Sequence, residues 1–195
     1  MIVRTVLMVA ALSLAASCSS EENVVVDELP QVGPGNVCGD PDLWGETIGT
    51  VDGPGSCGIE NAIRLTARID CGTAQALKTW VETGVIPAVG DTGGGATSLR
   101  VVAHYSCRTR NNQPGARLSE HSFGRAIDIA GIGLADGTEI SVLSGWNGTY
   151  ATQLRQMWQA ACGPFGTVLG PDGDRFHQDH FHFDTAVHGN GSFCR

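Results

Sequence analysis

The chain has no C-x-x-C pair, no internal repeat and no apolar run long and bare enough to cross a membrane as a helix. The first absence excludes a cysteine-ligated zinc ribbon or finger. The second excludes a solenoid or fibrous array, and the third a spanning helix. Basic residues are missing altogether from Ser19 to Asp52, a stretch that holds eight acids: Glu21, Glu22, Asp27, Glu28, Asp40, Asp42, Glu46 and Asp52. From Gly53 onward 12 acids face 11 bases, so the formal charge of −8 belongs to the leader and the rest is nearly neutral. That distribution argues against a nucleic-acid partner and says little about substrate. Charged residues make up only 16% of the chain and hydrophobic ones 42%, which is the balance of a globular protein. At 195 residues the length suits one domain with appendages.

The first segment, MIVRTVLMVAALSLAASCSS, places Arg4 before an apolar run and small residues before Cys18. It reads as an export signal over 1–18, and Ala15, Ala16, Ser17 and Cys18 resemble a bacterial lipobox whose cysteine carries a lipid. Residues 19–36 read as an acidic flexible linker, with a reach of roughly 20–25 Å, and 37–195 as the folded domain. The expected location is therefore the bacterial cell envelope or periplasm, with membrane attachment through Cys18. Six cysteines remain: Cys38, Cys57, Cys71, Cys107, Cys162 and Cys194. An even set in an exported chain implies disulfide staples. A local Cys38–Cys57 closure is expected, with the other pairings open.

Residues 37–60, rich in Gly and Pro, read as an irregular segment. TAQALKTWVE (73–82) has Ala74, Leu77 and Val81 at helical spacing, with an N-cap near Gly72 or Thr73 and an end at Pro87. Strands are expected over 99–105, 126–130, 139–143, 165–169 and 180–184, and a helix over 150–161 that buries Leu154, Met157, Trp158 and Ala161. The fold class is α+β, a small antiparallel sheet packed with helices.

Strand alternation then singles out a site. In 126–130 Ile127 and Ile129 share one face and leave Asp128 on the other, between Ala126 and Ala130. In 180–184 Phe181 and Phe183 take the core and leave His180, His182 and Asp184 opposite. His121 precedes Asp128 by seven positions, with Gly124 to let the chain reverse and Ser119 to brace the loop. His121, Asp128 and His182 make a His2Asp set with the donors and count of a catalytic zinc site, one Zn2+ per chain.

The pattern S-x-H-x-x-G-x-A-x-D, here Ser119, His121, Gly124, Ala126 and Asp128, resembles the signature of the zinc D-alanyl-D-alanine carboxypeptidase and murein endopeptidase superfamily. The D-x-x-H of Asp179 and His182 is similar to the second motif of phage-type L-alanyl-D-glutamate peptidases. More closely, SCGIENAIRL, CGTAQALKTW, HYSCRTRNN, LSEHSFGRAIDI, ACGPFGTVLGPDGD, HQDHFHFD and the terminal Cys-Arg resemble the bacterial extensin-like C-terminal domain family over about 38–195. The resemblance implies a hedgehog/DD-peptidase-like zinc fold with His121, Asp128 and His182 as ligands. It also implies amide hydrolysis in peptidoglycan stems or cross-links by a metal-activated water. Asp179 takes the place of the general base; His180, on the face of the ligands by strand alternation, is the rival base or a stabiliser of the transition state. Arg108 matches an arginine that relatives place near substrate, and Cys107 just before it departs from the carboxypeptidases' usual pattern. The alternative function is a non-catalytic zinc-containing envelope scaffold, as in the hedgehog N-terminal domain.

Overall fold

The computed structural model describes residues 35–195. The expected export signal, the lipobox-like cysteine and nearly all of the expected linker lie outside the described residues. Among the described residues no helix is long and apolar enough to cross a membrane.

The segment expected to be irregular is a sheet. Strands β1 (Gly35–Asn36), β2 (Trp44–Asp52), β3 (Gly58–Arg64) and β4 (Arg68–Asp70) pair in sequence order, each antiparallel to the next. Its glycines and prolines punctuate the strands instead of dissolving them. Gly49, at φ +81°, sits where the β2–β3 register shifts, as expected of a bulge glycine. Ile59, Ile63 and Ile69 supply the buried side chains that make the sheet worth forming.

Helix α1 (Cys71–Trp80) follows directly, with Asp70 as its cap: the Asp70 carboxylate accepts from the Thr73 backbone N–H at 2.7 Å. The helix does not stop before Pro87. A π turn, Val81–Val85, carries it into α2 (Ile86–Val89), whose first turn holds Pro87.

The second sheet has six strands. They are β5 (Ala96–Ala103), β6 (Ala126–Leu134), β7 (Glu139–Ser141), β8 (Thr167–Leu169), β9 (Phe181–Asp184) and β10 (Phe193–Cys194). The order is β10-β8-β9-β6-β5, with β7 also beside β6. All pairs are antiparallel except β10 with β8, so the sheet is mixed, not purely antiparallel. The strand expected over 139–143 ends at Ser141 and turns into a short helix, α3 (Val142–Gly145). Helix α4 (Ala151–Ala161) buries Leu154, Met157 and Ala161 as its spacing predicts, while Trp158, expected on the same face, is only half-buried.

Between sheet and helices lies the core that positions the site. Trp80 is fully buried, donates its indole N–H to the Met157 carbonyl at 2.7 Å, and meets the Phe183 ring edge-on at 5.0 Å. Phe183 also stacks on Phe165, at 5.0 Å between centroids. Anchoring Phe183 inward fixes which way the next residues of β9 face.

The disulfides are Cys38–Cys71, Cys57–Cys107 and Cys162–Cys194. The Cys38–Cys57 expectation is overturned because β2 and β3 form a hairpin. That hairpin carries Cys57 to its far turn, while Cys38 stays beside Cys71 at the start of α1; Lys78, in the last turn of that helix, pairs with Asp40 and Asp42 at 3.3 Å. Cys57–Cys107 ties the first sheet to the segment that follows β5, just ahead of Arg108. The domain is therefore α+β and disulfide-stapled.

Candidate metal centre

Strand β6 is buried on both faces along most of its length. Ile127 and Ile129 fill the core side. Asp128 occupies the other side, 5% exposed, between Ala126 and Ala130. β9 pairs with β6 so that His182 lies directly opposite Asp128 and Asp184 opposite Ala126. Phe181 and Phe183 are fully buried, as the alternation requires.

His121 arrives from a 3-10 turn, Glu120–Phe123, capped by Ser119, whose hydroxyl accepts from the His121 N–H at 3.4 Å. Gly124 closes that turn at φ +68°, and a Cβ there would meet the Ile59 side chain at 2.5 Å. Gly124→Ala is therefore expected to lower unfolding free energy by ~2–4 kcal/mol, combining left-handed strain with overpacking. Urea denaturation of the variant measures it, and an unchanged midpoint would contradict this account of the turn.

The three side chains converge. His121 Nε2 lies 3.2 Å from Asp128 Oδ2, His182 Nδ1 lies 2.8 Å from Asp128 Oδ1, and the two ring nitrogens are 3.3 Å apart. His121 is fully buried and the His182 side chain is 12% exposed. The outer nitrogens are engaged elsewhere. His121 Nδ1 donates to the His104 carbonyl at 2.9 Å, and His182 Nε2 donates to Asp184 Oδ2 at 3.3 Å. A carbonyl and a carboxylate can only accept, so each outer nitrogen carries the proton. In the neutral rings the inner nitrogens then present lone pairs to a carboxylate. Two lone pairs and a negative charge meeting out of water need a cation or protons between them. One ligand atom from each residue lies within 4.8 Å of the others, so the group can hold a metal ion. Two imidazoles and one carboxylate, each imidazole oriented by an outer acceptor, are donors that suit zinc.

Without metal, protons do that work. Burial alone would raise the Asp128 pKa, but hydrogen bonds from His121 and His182 outweigh it and hold the carboxyl far below the usual range. Burial likewise opposes charge on His182, yet Asp128 and Asp184 push it up to about 9. The His182 contribution is fully present below its ordinary value of 6.5 and is lost as pH rises through about 9. The Asp128 contribution is present above its ordinary value of 3.8 and lost as pH falls below it. The metal-free protein is thus expected to melt highest between those ordinary values, and to lose roughly 3 kcal/mol on the alkaline side by proton linkage. A ligating His182 must give up its inner proton, so metal affinity rises over the same alkaline range. Melting curves across pH, with and without chelator, check both signs.

Around the trio opens a cleft of about 550 Å³. His180 lines it, with Nε2 at 3.8 Å from Asp128 Oδ2 and Nδ1 at 2.7 Å from Asp179 Oδ1. The expected strand over 180–184 begins only at Phe181, so the chain is still turning at Asp179 and His180 and strand alternation does not govern them. Asp179 is 65% exposed and meets the trio only through His180. Its hydrogen bond to His180 holds the Asp179 carboxyl below its ordinary value. Arg108 lines the same cleft. Its backbone N–H donates to the Ser122 hydroxyl at 3.0 Å, and that hydroxyl donates back to the Arg108 carbonyl at 2.8 Å. The arginine is thereby locked to the turn that carries His121. Arg108 and Arg110 make no ion pair among the described residues, whereas Glu120, Asp128, Asp174 and Asp184 in the lining are each matched.

The sequence reading missed a second carboxylate–imidazole pair in the cleft wall, Asp174 Oδ1 with His177 Nδ1 at 2.7 Å. Burial is the largest influence on His177 and keeps its pKa low, against the pull of Asp174. The signal was present: Asp174 and His177 repeat the D-x-x-H spacing of Asp179 and His182 five residues earlier.

No curated protein and no solved structure matches the chain. The family model described as extensin-like protein C-terminus matches residues 17–195, and the chain belongs to that family.

Proposed function

We propose that this is a cell-envelope metallopeptidase, a zinc enzyme of the hedgehog/DD-peptidase-like fold that hydrolyses amide bonds in the peptide stems or cross-links of peptidoglycan. The observation that carries the reading is an imidazole, His180, facing a buried His121–Asp128–His182 trio across an open cleft, with a carboxylate fixed behind it. His121, Asp128 and His182 would hold the ion. A divalent metal there supplies Lewis acidity, polarising a carbonyl and making water a better nucleophile near neutral pH.

The chain's own residues then divide the remaining work. Asp179 accepts from His180 Nδ1, which leaves the Nε2 lone pair free to take a proton from the attacking water and return it to the departing amine. The depressed pKa of Asp179 makes it a weak base but a persistent negative charge, suited to steadying the imidazolium that forms on His180. Geometry thus favours His180 as the proton carrier, with Asp179 behind it rather than in the base's place. Arg108, with Arg110 beside it, offers an unmatched guanidinium for a peptide carboxylate or a developing oxyanion. The staples Cys38–Cys71, Cys57–Cys107 and Cys162–Cys194 suit an oxidising compartment. An exported lipoprotein anchored through Cys18 brings such an enzyme to the wall.

The test is hydrolysis of defined muropeptides by purified protein with zinc, with chelator, and with zinc restored. Cleavage that disappears and returns supports the peptidase. Tight zinc binding with no cleavage of any muropeptide moves the protein to the scaffold reading.

A further inference from the structure

We propose that a second cavity, bordered like the metal cleft by the turn after β8, is a subsite for an N-acetylated sugar ring; that the ring belongs to a glycan strand rests on the peptidoglycan reading above. The cavity holds about 220 Å³, below the ~300–1,000 Å³ of sites for drug-sized ligands, which suits a single ring. Helix α4 contributes Arg155 and Trp158 to its wall, three positions apart and so on one face. Trp146 comes from just after α3, Gly170 and Asp172 from the turn after β8, and Arg195 from just after β10. Two backbone bonds fix Arg195 there: its N–H donates to the Val168 carbonyl at 2.9 Å, and its carbonyl accepts from the Gly170 N–H at 3.1 Å. The neighbouring Cys162–Cys194 staple ties the same segment to the end of α4.

The wall calls for an acceptor from outside the chain. An indole nitrogen can only donate. Buried Trp80 gives its proton to the Met157 carbonyl, whereas the buried nitrogens of Trp146 and Trp158 have no acceptor among the described residues. Two such donors around one small cavity are unusual, since most buried polar groups in native proteins are paired. Both nitrogens are sealed from water, so an incoming acceptor engages them through a small tilt of the rings. Half-buried Trp158 is the freer ring; Trp146 is held by Arg155, whose guanidinium lies 4.4 Å from its ring centroid and donates to its carbonyl. Charge narrows the ligand further. Arg195 makes no ion pair among the described residues, while Asp172, its side chain 69% exposed, stands 3.8 Å from Arg155. A bare carboxylate would satisfy the donors but meet Asp172 as a like charge, and a purely apolar ligand would leave every polar group unmatched. An N-acetylated sugar answers each demand. Its amide carbonyl accepts, its hydroxyls donate to Asp172 and accept from the guanidiniums, and its C–H face covers indole. The position also fits. Gly170 and Asp172 line this cavity, whereas Asp174 and His177 line the metal cleft. The turn between them is braced by the Gly173 N–H on the Gly170 carbonyl at 2.8 Å and the Phe176 N–H on the Asp174 carboxylate at 2.7 Å. From residue 172 to 174 the backbone spans at most ~7 Å, so a sugar that carries a peptide stem can straddle the turn, with the ring in one cavity and the stem in the other.

The probe is N,N′-diacetylchitobiose, titrated into the full chain and followed by indole N–H resonances and tryptophan fluorescence, with cellobiose and acetate as controls. The disaccharide is expected to move the Trp146 and Trp158 resonances downfield and to leave those of Trp44 and Trp80 in place. Trp158→Ala is expected to weaken binding at least about tenfold through lost ring contact, and Trp158→Phe by roughly 2–10-fold through the lost N–H. Resonances that the disaccharide does not move overturn the proposal. So do equal shifts with cellobiose, which lacks the acetamido group, or with acetate, which is a carboxylate alone. Turnover gives a second readout. A muropeptide that keeps its disaccharide is expected to show a KM about tenfold below that of the same stem peptide without sugar, and Asp172→Ala to narrow that gap; equal KM values in the wild type overturn the proposal. If no muropeptide is cleaved, the peptidase reading fails by itself, and the indole titration alone decides the subsite. Should Trp158→Ala fail to fold, the exposed Asp172→Ala carries the titration, and unchanged sugar affinity in it overturns the proposal.

Discussion

Asp128→Ala is expected to weaken metal binding at least about 100-fold and to cost the metal-free protein about 3 kcal/mol. The first figure follows from apparent zinc-site energies of ~10–16 kcal/mol shared among a handful of ligands, where ~3 kcal/mol per ligand is about two decades. The second follows from what Asp128 holds together. His121 and His182 face each other at 3.3 Å between their inner nitrogens, and Asp128 is the negative charge between them. Removing one member of a buried, hydrogen-bonded charge pair leaves the other uncompensated, at ~3–5 kcal/mol; Asp184, still bonded to His182, softens this toward the lower end. The alanine also fits sterically, because the neighbours Ala126 and Ala130 show that the strand tolerates small side chains there. Chelator competition and urea denaturation of one preparation give both numbers. A variant that holds zinc within tenfold of the wild type would contradict the ligand assignment.

His180→Ala is expected to lower kcat by ~10²–10⁴, the range for loss of a positioned proton carrier, while leaving metal content unchanged. The separation of the two effects is the point. His180 Nε2 stands 3.8 Å from Asp128, close enough to serve the reacting water but beyond hydrogen-bond contact with the carboxylate. Asp179→Asn is expected to cost less than His180→Ala, since the imidazole remains in place when its orienting partner loses charge. Muropeptide turnover and metal analysis on both variants decide the order. A larger loss in Asp179→Asn than in His180→Ala would return Asp179 to the base's role.

Much of this centre can be read directly from the sequence because strand alternation is a rigid rule. Once Ile127, Ile129, Phe181 and Phe183 are assigned to a core, Asp128 and His182 have only one other face to occupy. Gly124 marks the turn that delivers His121 because only glycine fits both its positive φ and the Ile59 side chain. The rule fails where the strand has not begun. Asp179 and His180 lie in a turn, so their partnership depended on side-chain reach, which spacing does not encode. Asp174–His177 also lies in a turn, where strand alternation gives no guide and its D-x-x-H spacing was the signal it left in the sequence. The first sheet was missed for a different cause. Its strands are interrupted by glycine and by a register shift, which blurs the period-two signal that Ile59 and Ile63 nevertheless carry. The disulfide error follows directly, since β2 lies between Cys38 and Cys57 and carries Cys57 away to the β2–β3 turn.

Calorimetric titration of chelator-treated wild-type protein with zinc, beside the same titration of His121→Ala, tests the central claim most directly. One ion per chain, bound tightly by the wild type with release of protons and bound at least about 100-fold more weakly by the variant, is the predicted result. Equal binding by both proteins, or none by the wild type, would contradict the assignment of His121, Asp128 and His182 as a metal centre.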